Sequence, residues 1–290
     1  MGRPRHRGTP QDAARVRPPA GVTPGPPTCG RGFCRGPDVR WSHVRGTAPA
    51  PGLAGRITCG WLRTSEVGFT QLVVPDACVD LVWGANGPLV AGPDTGPMPA
   101  SIRAGEAMAG LRFSPGAVGS FFGVPLDELR DRRVPLSELP GWRALLAQLT
   151  SLPVEAIHHG RGAAQAEARL RALEAMAVRR LAADPDGVDT TASAIATALG
   201  QGRSVAEAAW ALGYSERQLL RRSVTSFGYG PKTLQRIVRF QRALRLARAG
   251  RPLAEVAVTA GYADQAHLAN DVKRLSGVQM SHLVSPPGAG

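Results

Sequence analysis

The side chains with the most chemistry to offer stand in two short segments near the end of the 290-residue chain. Residues 216–227 carry Arg217, Gln218, Arg221 and Arg222, with Ser215 immediately before them. Residues 264–275 carry Gln265, His267, Asn270 and Lys273, with Arg274 next in line. A guanidinium can donate two parallel hydrogen bonds to the edge of guanine, and the amide of Gln or Asn pairs in the same manner with adenine. Residues four apart share one face of a helix, so each set forms one polar surface. The chemistry on offer is recognition through hydrogen bonds and charge. Any one of these side chains alone could equally be part of a solvated helix face. Their recurrence in one repeated frame is what singles them out.

That frame is an internal repeat with an offset of 48 residues. Val205-Ala206-Glu207-Ala208-Ala209 precedes Gly213-Tyr214, and Leu253-Ala254-Glu255-Val256-Ala257 precedes Gly261-Tyr262. Further on, Leu219 answers Leu268 and Gly228 answers Gly277, after one inserted residue in the second copy. A repeat of this kind marks a duplicated structural unit. Each copy reads as a helix-turn-helix. A small residue, Ala209 or Ala257, lets the second helix cross the first closely. Gly213 and Gly261 supply the left-handed conformation of the turn. Ser215 is expected to cap the next helix, and Asp264 to do so in the second copy. The second helices, about 216–227 and 264–275, are then the ones to enter a major groove.

Between the units, Pro231 can open a helix that Gly250 ends. Nineteen residues from Pro231 to Ala249 span roughly 28 Å at 1.5 Å per residue. That length could set the two recognition helices about one DNA turn, near 34 Å, apart. Ile237, Phe240 and Leu244 are expected to face inward. Of Arg236, Arg239, Arg242, Arg245 and Arg248, some are expected to face phosphates.

Charge is distributed to match. Residues 188–290 hold thirteen Lys and Arg against six acids, and residues 1–46 nine Arg against two acids, while residues 47–187 are nearly balanced, within a total of +13. A basic folded end suggests a polyanionic partner, and double-stranded DNA is the one expected; no membrane partner is. No apolar run approaches the roughly 20 residues that a membrane span needs. No apolar core follows the N-terminal arginines, so a secretory signal is not expected, and a cytoplasmic location is.

The remaining residues argue against catalysis. No His stands between His43 and His158, and Cys29, Cys34, Cys59 and Cys78 form no Cys-x-x-Cys pair. Neither a metal site nor a cofactor is expected, and the thiols are expected to be reduced. Asp76 and Asp80 would share one strand face as a carboxylate pair, but acids at turn ends commonly accept backbone N–H groups instead. There is no Gly-x-Ser-x-Gly elbow and no phosphate-cradling loop.

Four segments are expected. Residues 1–37, rich in Pro, Gly and Arg and without hydrophobic period, form a disordered tail to which no specific role is assigned. Residues 38–150 form a β-rich domain, read as a small barrel or sandwich, with strands at 55–63, 67–74, 78–84, 88–91 and 107–113. A helical turn is expected at 125–130 and helices at 142–149 and 163–183. The last has Leu170, Leu173, Ala177 and Leu181 on one face. Residues 151–187 form a helical linker ended by Asp184-Pro185-Asp186-Gly187, and residues 188–290 form the all-α domain. The fold class is therefore α+β.

Three stretches carry a resemblance: Gly213-Tyr214-Ser215-Glu216-Arg217-Gln218-Leu219, Gly228-Tyr229-Gly230-Pro231-Lys232, and Gly261-Tyr262-Ala263-Asp264-Gln265-Ala266-His267-Leu268. In them the last hundred or so residues resemble the AraC/XylS family of bacterial transcription regulators. The resemblance implies a seven-helix domain with two recognition helices in successive major grooves, and contacts to bases or backbone from Arg217, Gln218, Arg221, Gln265, His267 and Asn270. Ser223 and Val272 stand where that family commonly has Phe, Asn270 where it has Arg, and Met280 where it has Pro. Phe227 is expected to make up part of the packing at Ser223. In the N-terminal half, the stretches from Val74 to Trp83, Val90 to Thr95 and Arg112 to Ala117 look like the cupin-like domain of one subgroup, with Ala77 where Gly is usual. This implies a sensing or dimerising role: an unknown small-molecule effector, a homodimer, and RNA polymerase as a further partner. The competing readings are a structural protein that binds DNA without sequence preference and, more remotely, an enzyme on the cupin-like half.

Overall fold

Stretches of alternating apolar and polar residues make the N-terminal half a β-structure. The computed structural model describes residues 42–148, 157, 161–183 and 190–284. The expected tail over 1–37 and the break at 184–187 lie outside the described residues, as does most of the linker between 149 and 160.

Eight strands are present among them: β1 (Ser42–Thr47), β2 (Ile57–Ser65), β3 (Phe69–Val73), β4 (Asp80–Gly84), β5 (Gly87–Ala91), β6 (Met98–Ile102), β7 (Ala107–Phe113) and β8 (Arg133–Pro135). Six form an antiparallel sheet in the order β1-β2-β7-β4-β5-β8, and β3 pairs with β6 in a second, two-stranded sheet. Three strands escape a reading by pattern. β1 has no apolar alternation and lies at a sheet edge, where half its pairing is open. β6 contains Pro99, opposite Leu72. In a two-stranded ladder every strand is an edge, and there a missing N–H is tolerated. β8 has only three residues, set on β5 by pairs such as Val90 with Val134. Residues 125–130, expected as a helical turn, instead form successive tight turns, with Glu128 N–H to Pro125 O at 3.2 Å and Leu129 N–H to Leu126 O at 3.1 Å.

Two helices follow the sheets, α1 (Trp142–Ala147) and α2 (Gly162–Ala182). The apolar face of α2, with Leu170, Leu173 and Ala177 buried, lies across β2 and β7. Phe113, Phe121, Phe122 and Trp142 stack tilted or edge-on beside it, with ring centroids 4.8–6.1 Å apart. Such offset geometry suits aromatic quadrupoles.

The helical domain comprises α3 (Thr190–Gly200), α4 (Val205–Ala211), α5 (Glu216–Phe227), α6 (Pro231–Arg248), α7 (Leu253–Ala260), α8 (Gln265–Ser276) and α9 (Met280–Val284). Its core is built on α6, whose Leu234, Ile237, Phe240 and Leu244 are buried and touch both repeats. No helix among the described residues is long and apolar enough to cross a membrane.

The two halves are closely docked. Ala77, in the left-handed region at φ 65°, is buried in the core of the helical domain. Beside it Gln241 of α6 donates to the Pro75 carbonyl at 2.6 Å. Arg130 donates to the Gly228 carbonyl at 3.0 Å. Gly228 ends α5 at φ 79°, and a Cβ there would stand 2.7 Å from Pro93 and 2.8 Å from the Leu126 carbonyl oxygen. By contrast, a Cβ on Gly213, at φ 71°, would meet nothing within 4 Å. Gly213→Ala is therefore expected to cost only the left-handed strain, about 1–2 kcal/mol. Gly228→Ala should add an overpacking cost of about 1–3 kcal/mol. Thermal denaturation of the two variants measures the difference, and equal losses would contradict the docking.

Candidate nucleic-acid interface

The repeat seen in the sequence is a repeat of local structure. In the first copy Ser204 caps α4 in a reciprocal box with Glu207, and Gly213 makes the turn. Ser215 caps α5: its hydroxyl accepts from Gln218 N–H at 3.3 Å, and Gln218 Oε1 accepts from Ser215 N–H at 2.9 Å. In the second copy Gly261 ends α7 at φ 88°, and Asp264 caps α8 by accepting from His267 N–H at 2.7 Å. Both capping residues are the ones expected. α8 begins at Gln265, one residue later than the pattern suggested, because Asp264 is the cap itself.

α5 turns Leu219, Ser223, Ser226 and Phe227 inward and leaves Arg217, Gln218, Arg221 and Arg222 exposed. Ser223 occupies its buried place by donating to the Tyr229 carbonyl at 2.8 Å, which ties the end of α5 to the next segment. Phe227 fills the adjoining core. Arg222 lies over the Tyr214 ring at 4.8 Å. No acid pairs with Arg217 or Arg221 among the described residues, so both guanidinium groups are available. Gln218 is more restricted. Its Oε1 also accepts from the Ser215 hydroxyl at 3.0 Å. With that oxygen engaged, only its NH2 remains to donate, and a two-bond contact to adenine would require the cap to open.

α8 exposes Gln265, Asn270 and Lys273, while His267 is half-buried. The His267 ring stands edge-on to Tyr262 at 5.2 Å, with Nε2 at 3.5 Å from Arg239. Asp271, next to the exposed Asn270, is buried, with Arg239 at 2.7 Å and Arg236 at 3.7 Å. Arg239 also lies 4.3 Å over the Tyr262 ring. Burial pushes the Tyr262 phenol up to about 12, so the ring stays neutral beneath the cation. Ring, guanidinium and carboxylate thus fasten the second unit to α6.

This fastening changes what the arginines of α6 can do. Arg236 and Arg239 close on Asp271, and Arg245 and Arg248 line a cavity against the N-terminal sheets. Of the five that could have faced phosphates, these four have other surroundings. Removing one partner of a buried pair leaves an uncompensated charge. Asp271→Ala is expected to lower stability by about 3–5 kcal/mol, read by urea denaturation; a loss no greater than that of an exposed acid such as Glu216→Ala would contradict this burial.

The other acids with chemical potential are committed within the N-terminal domain. Asp76 accepts from Cys78 N–H at 3.0 Å and pairs with Arg112 at 3.1 Å, while Asp80 pairs with Arg112 at 2.8 Å. Burial pushes the Asp76 carboxyl up, and the Arg112 charge opposes that. Cys59 and Cys78 are buried.

Comparison with known proteins agrees with this layout. A family model described as a helix-turn-helix domain matches residues 208–284, and one described as a domain of unknown function (DUF6597) matches residues 45–135. No curated protein matches the chain. Among solved structures, ToxT from Vibrio cholerae is similar at 9% identity and TM-score 0.40, covering 86% of this chain and 100% of its own. An apo variant of ToxT from strain SCE256 aligns at 11% identity and TM-score 0.39, covering 86% and 98%. Wild-type ToxT bound to an unsaturated fatty acid aligns at 11% and 0.37, covering 86% and 96%. At that distance the likeness transfers neither mechanism nor ligand. The duplicated, capped units and the family match together identify the C-terminal part of the chain as a helix-turn-helix domain, joined to an N-terminal part that matches a family without an assigned function.

Proposed function

We propose that this chain is a one-component transcription regulator that places α5 and α8 in successive major grooves of double-stranded DNA, under the control of a small-molecule effector at the N-terminal domain. The observation that carries the reading is the pair of exposed arginines without acid partners, Arg217 and Arg221, on a helix whose other face is fixed in a core. α6 has 18 residues and spans roughly 27 Å, a spacing suited to two half-sites about one DNA turn apart.

Roles follow from each environment. Arg217 and Arg221 read guanine or grip phosphate. Ser215 holds the helix start, and its exposed N-terminus suits a phosphate. Gln218 donates a single bond, and Arg222 contacts backbone from its place on Tyr214. Gln265, Asn270 and Lys273 form the second surface, with His267 positioned by Tyr262 and Arg239. In the same reading, residues 1–37 form a tail, 38–150 the sensing or dimerising domain, 151–187 a linker and 188–290 the DNA-binding domain. A homodimer and a contact with RNA polymerase belong to it as well, and its place of work is the chromosome in the cytoplasm. A structural protein without sequence preference is the alternative, favoured only by the basic charge.

Selection from random duplexes, followed by titration on the selected and scrambled duplexes at several salt concentrations, tests both. Sequence preference supports the regulator, and equal affinities support the structural protein. Arg217→Ala or Arg221→Ala is expected to cost about 1–3 kcal/mol on the selected duplex if it reads a base. A variant that loses only a phosphate contact should weaken both duplexes evenly and lower the salt slope by about one. Asn270→Ala should cost less than the larger of the two arginine losses. Abolished specific binding in Asn270→Ala, with both arginine variants intact, would overturn this ranking.

A further inference from the structure

Gly228 and Gly277 hold the same place in the duplicated frame. Each ends the second helix of its unit in the left-handed region, at φ 79° and φ 74°. One loop of the N-terminal domain, residues 92–97 between β5 and β6, reaches both. A Cβ on Gly228 would stand 2.7 Å from Pro93 Cγ, and one on Gly277 would stand 3.5 Å from Pro97 Cγ. Only three residues separate the two prolines. A short segment of chain therefore joins the ends of α5 and α8 from outside the helical domain.

The loop is held firmly along its length. Gly92 N–H donates to the Arg132 carbonyl at 3.0 Å, and Asp131 N–H donates to the Pro93 carbonyl at 3.1 Å. A Cβ on Gly92 would fall 1.8 Å from the Leu129 carbonyl oxygen, so only glycine admits this approach. The buried Asp94 accepts two bonds from Arg133, at 2.8 and 2.7 Å. Asp131 accepts from Thr95 N–H at 2.6 Å and from the Thr95 hydroxyl at 2.8 Å, and its own φ is 58°. A non-glycine residue persists in that region only where its surroundings fix it. Arg130, one residue earlier, donates to the Gly228 carbonyl, so the bracing segment also grips the end of α5. Proline fixes φ at both contact points.

These contacts leave the polar surfaces open. Arg217, Gln218, Arg221, Gln265, Asn270 and Lys273 are all exposed with the loop in place. The loop therefore orients the helices without covering them. α6 joins the two units through the core and sets their separation, but one joining helix leaves rotation of a unit about it open. A second connection, at the far ends of α5 and α8, closes that freedom. We propose that the 92–97 loop is a strut that fixes the mutual orientation of α5 and α8 for DNA, with Pro93 and Pro97 as its positioning residues. The proposal rests on the regulator reading for its effect on DNA. Two linked binding modules reinforce each other only where their geometry meets both targets at once. A stiff strut thus becomes a preference for one spacing of half-sites.

The test uses the full chain. One base pair inserted between the half-sites of the selected duplex shifts one of them by about 3.4 Å and turns it by about 35°. The unaltered protein is expected to bind the inserted duplex about tenfold or more weaker than the selected one. Pro93→Gly combined with Pro97→Gly should bind the selected duplex about tenfold weaker, yet lose less than about threefold further on insertion. On duplexes that keep only one half-site it should match the unaltered protein, which a general loss of folding would not permit. Pro97→Gly alone, at an exposed position, should show the same change in smaller degree. Asp131→Ala should act as the double variant does. Asp131→Asn keeps an acceptor oxygen and tolerates the left-handed region, so it should behave as the unaltered protein. An unchanged spacing preference in both Gly variants, tighter binding of the selected duplex by either, or an equal loss on single half-sites would overturn the strut.

A second measurement needs no DNA. Glu216→Cys and Gln265→Cys place spin labels on the equivalent first residues of α5 and α8, with Cys29→Ser and Cys34→Ser removing other thiols and Cys59 and Cys78 shielded by burial. The distance between the labels should be narrowly distributed with the native loop and broad with both prolines changed. Equal widths would overturn the strut. If the unaltered protein prefers no duplex, the regulator reading fails, and the two widths alone decide whether the strut exists.

Discussion

One helix, α6, packs against both helix-turn-helix units, through α5 of the first and through α7 and α8 of the second, while α3 covers the remaining inner face of the first, and that shared packing organises the rest of the domain. Leu234, Ile237, Phe240 and Leu244 recur at three- and four-residue intervals along α6, so its apolar stripe serves both units. Each α5 or α8 is a short helix whose stability comes chiefly from tertiary packing. Because the shared helix is continuous, the separation of the two polar surfaces is set by its length and not by a flexible joint.

The duplicated frame is nonetheless fastened in two ways. In the first unit Arg222, from α5 itself, covers Tyr214. In the second unit Arg239, from α6, covers Tyr262 and is held by the buried Asp271. The same tyrosine position thus receives its cation from different elements. The first unit spends one arginine of its own outer surface on that contact, whereas the second draws on the central helix and leaves its own exposed side chains free. Their electrostatic character differs accordingly: two unpaired guanidinium groups on one side, and an amide, an amine and a half-buried imidazole on the other.

The N-terminal domain reaches into this arrangement at points where side chains are small. Ala77 enters the helical core, and Gly228 lets Pro93 and Leu126 approach the end of α5. The sheets therefore touch the helical domain at the end of α5, and across the cavity they face the end of the helix common to both units. A change in that docking would act on the geometry of the polar surfaces without any contact to DNA.

Much of this was legible in the sequence because it is local. The 48-residue repeat, the glycines at 213 and 261, the caps at Ser215 and Asp264 and the apolar period of α6 each express constraints within one or two helical turns. They located the helix-turn-helix units and their exposed residues. The longest, most apolar strands were legible for the same reason, whereas β1, β6 and β8 are edge or short strands that exist only because a neighbour supplies their hydrogen bonds. The sequence by itself determined an α+β chain with a basic, duplicated helical end and a polar face on each second helix. Only the tertiary structure decided the direction in which charged side chains point. Asp271 faces inward because Arg239 and Arg236 converge on it from a helix more than thirty residues earlier. Arg63 and Arg248 line one cavity although they are far apart in the chain. Charge carries no period of its own, and the position of a charged group is set by whichever partner or cavity folding brings beside it.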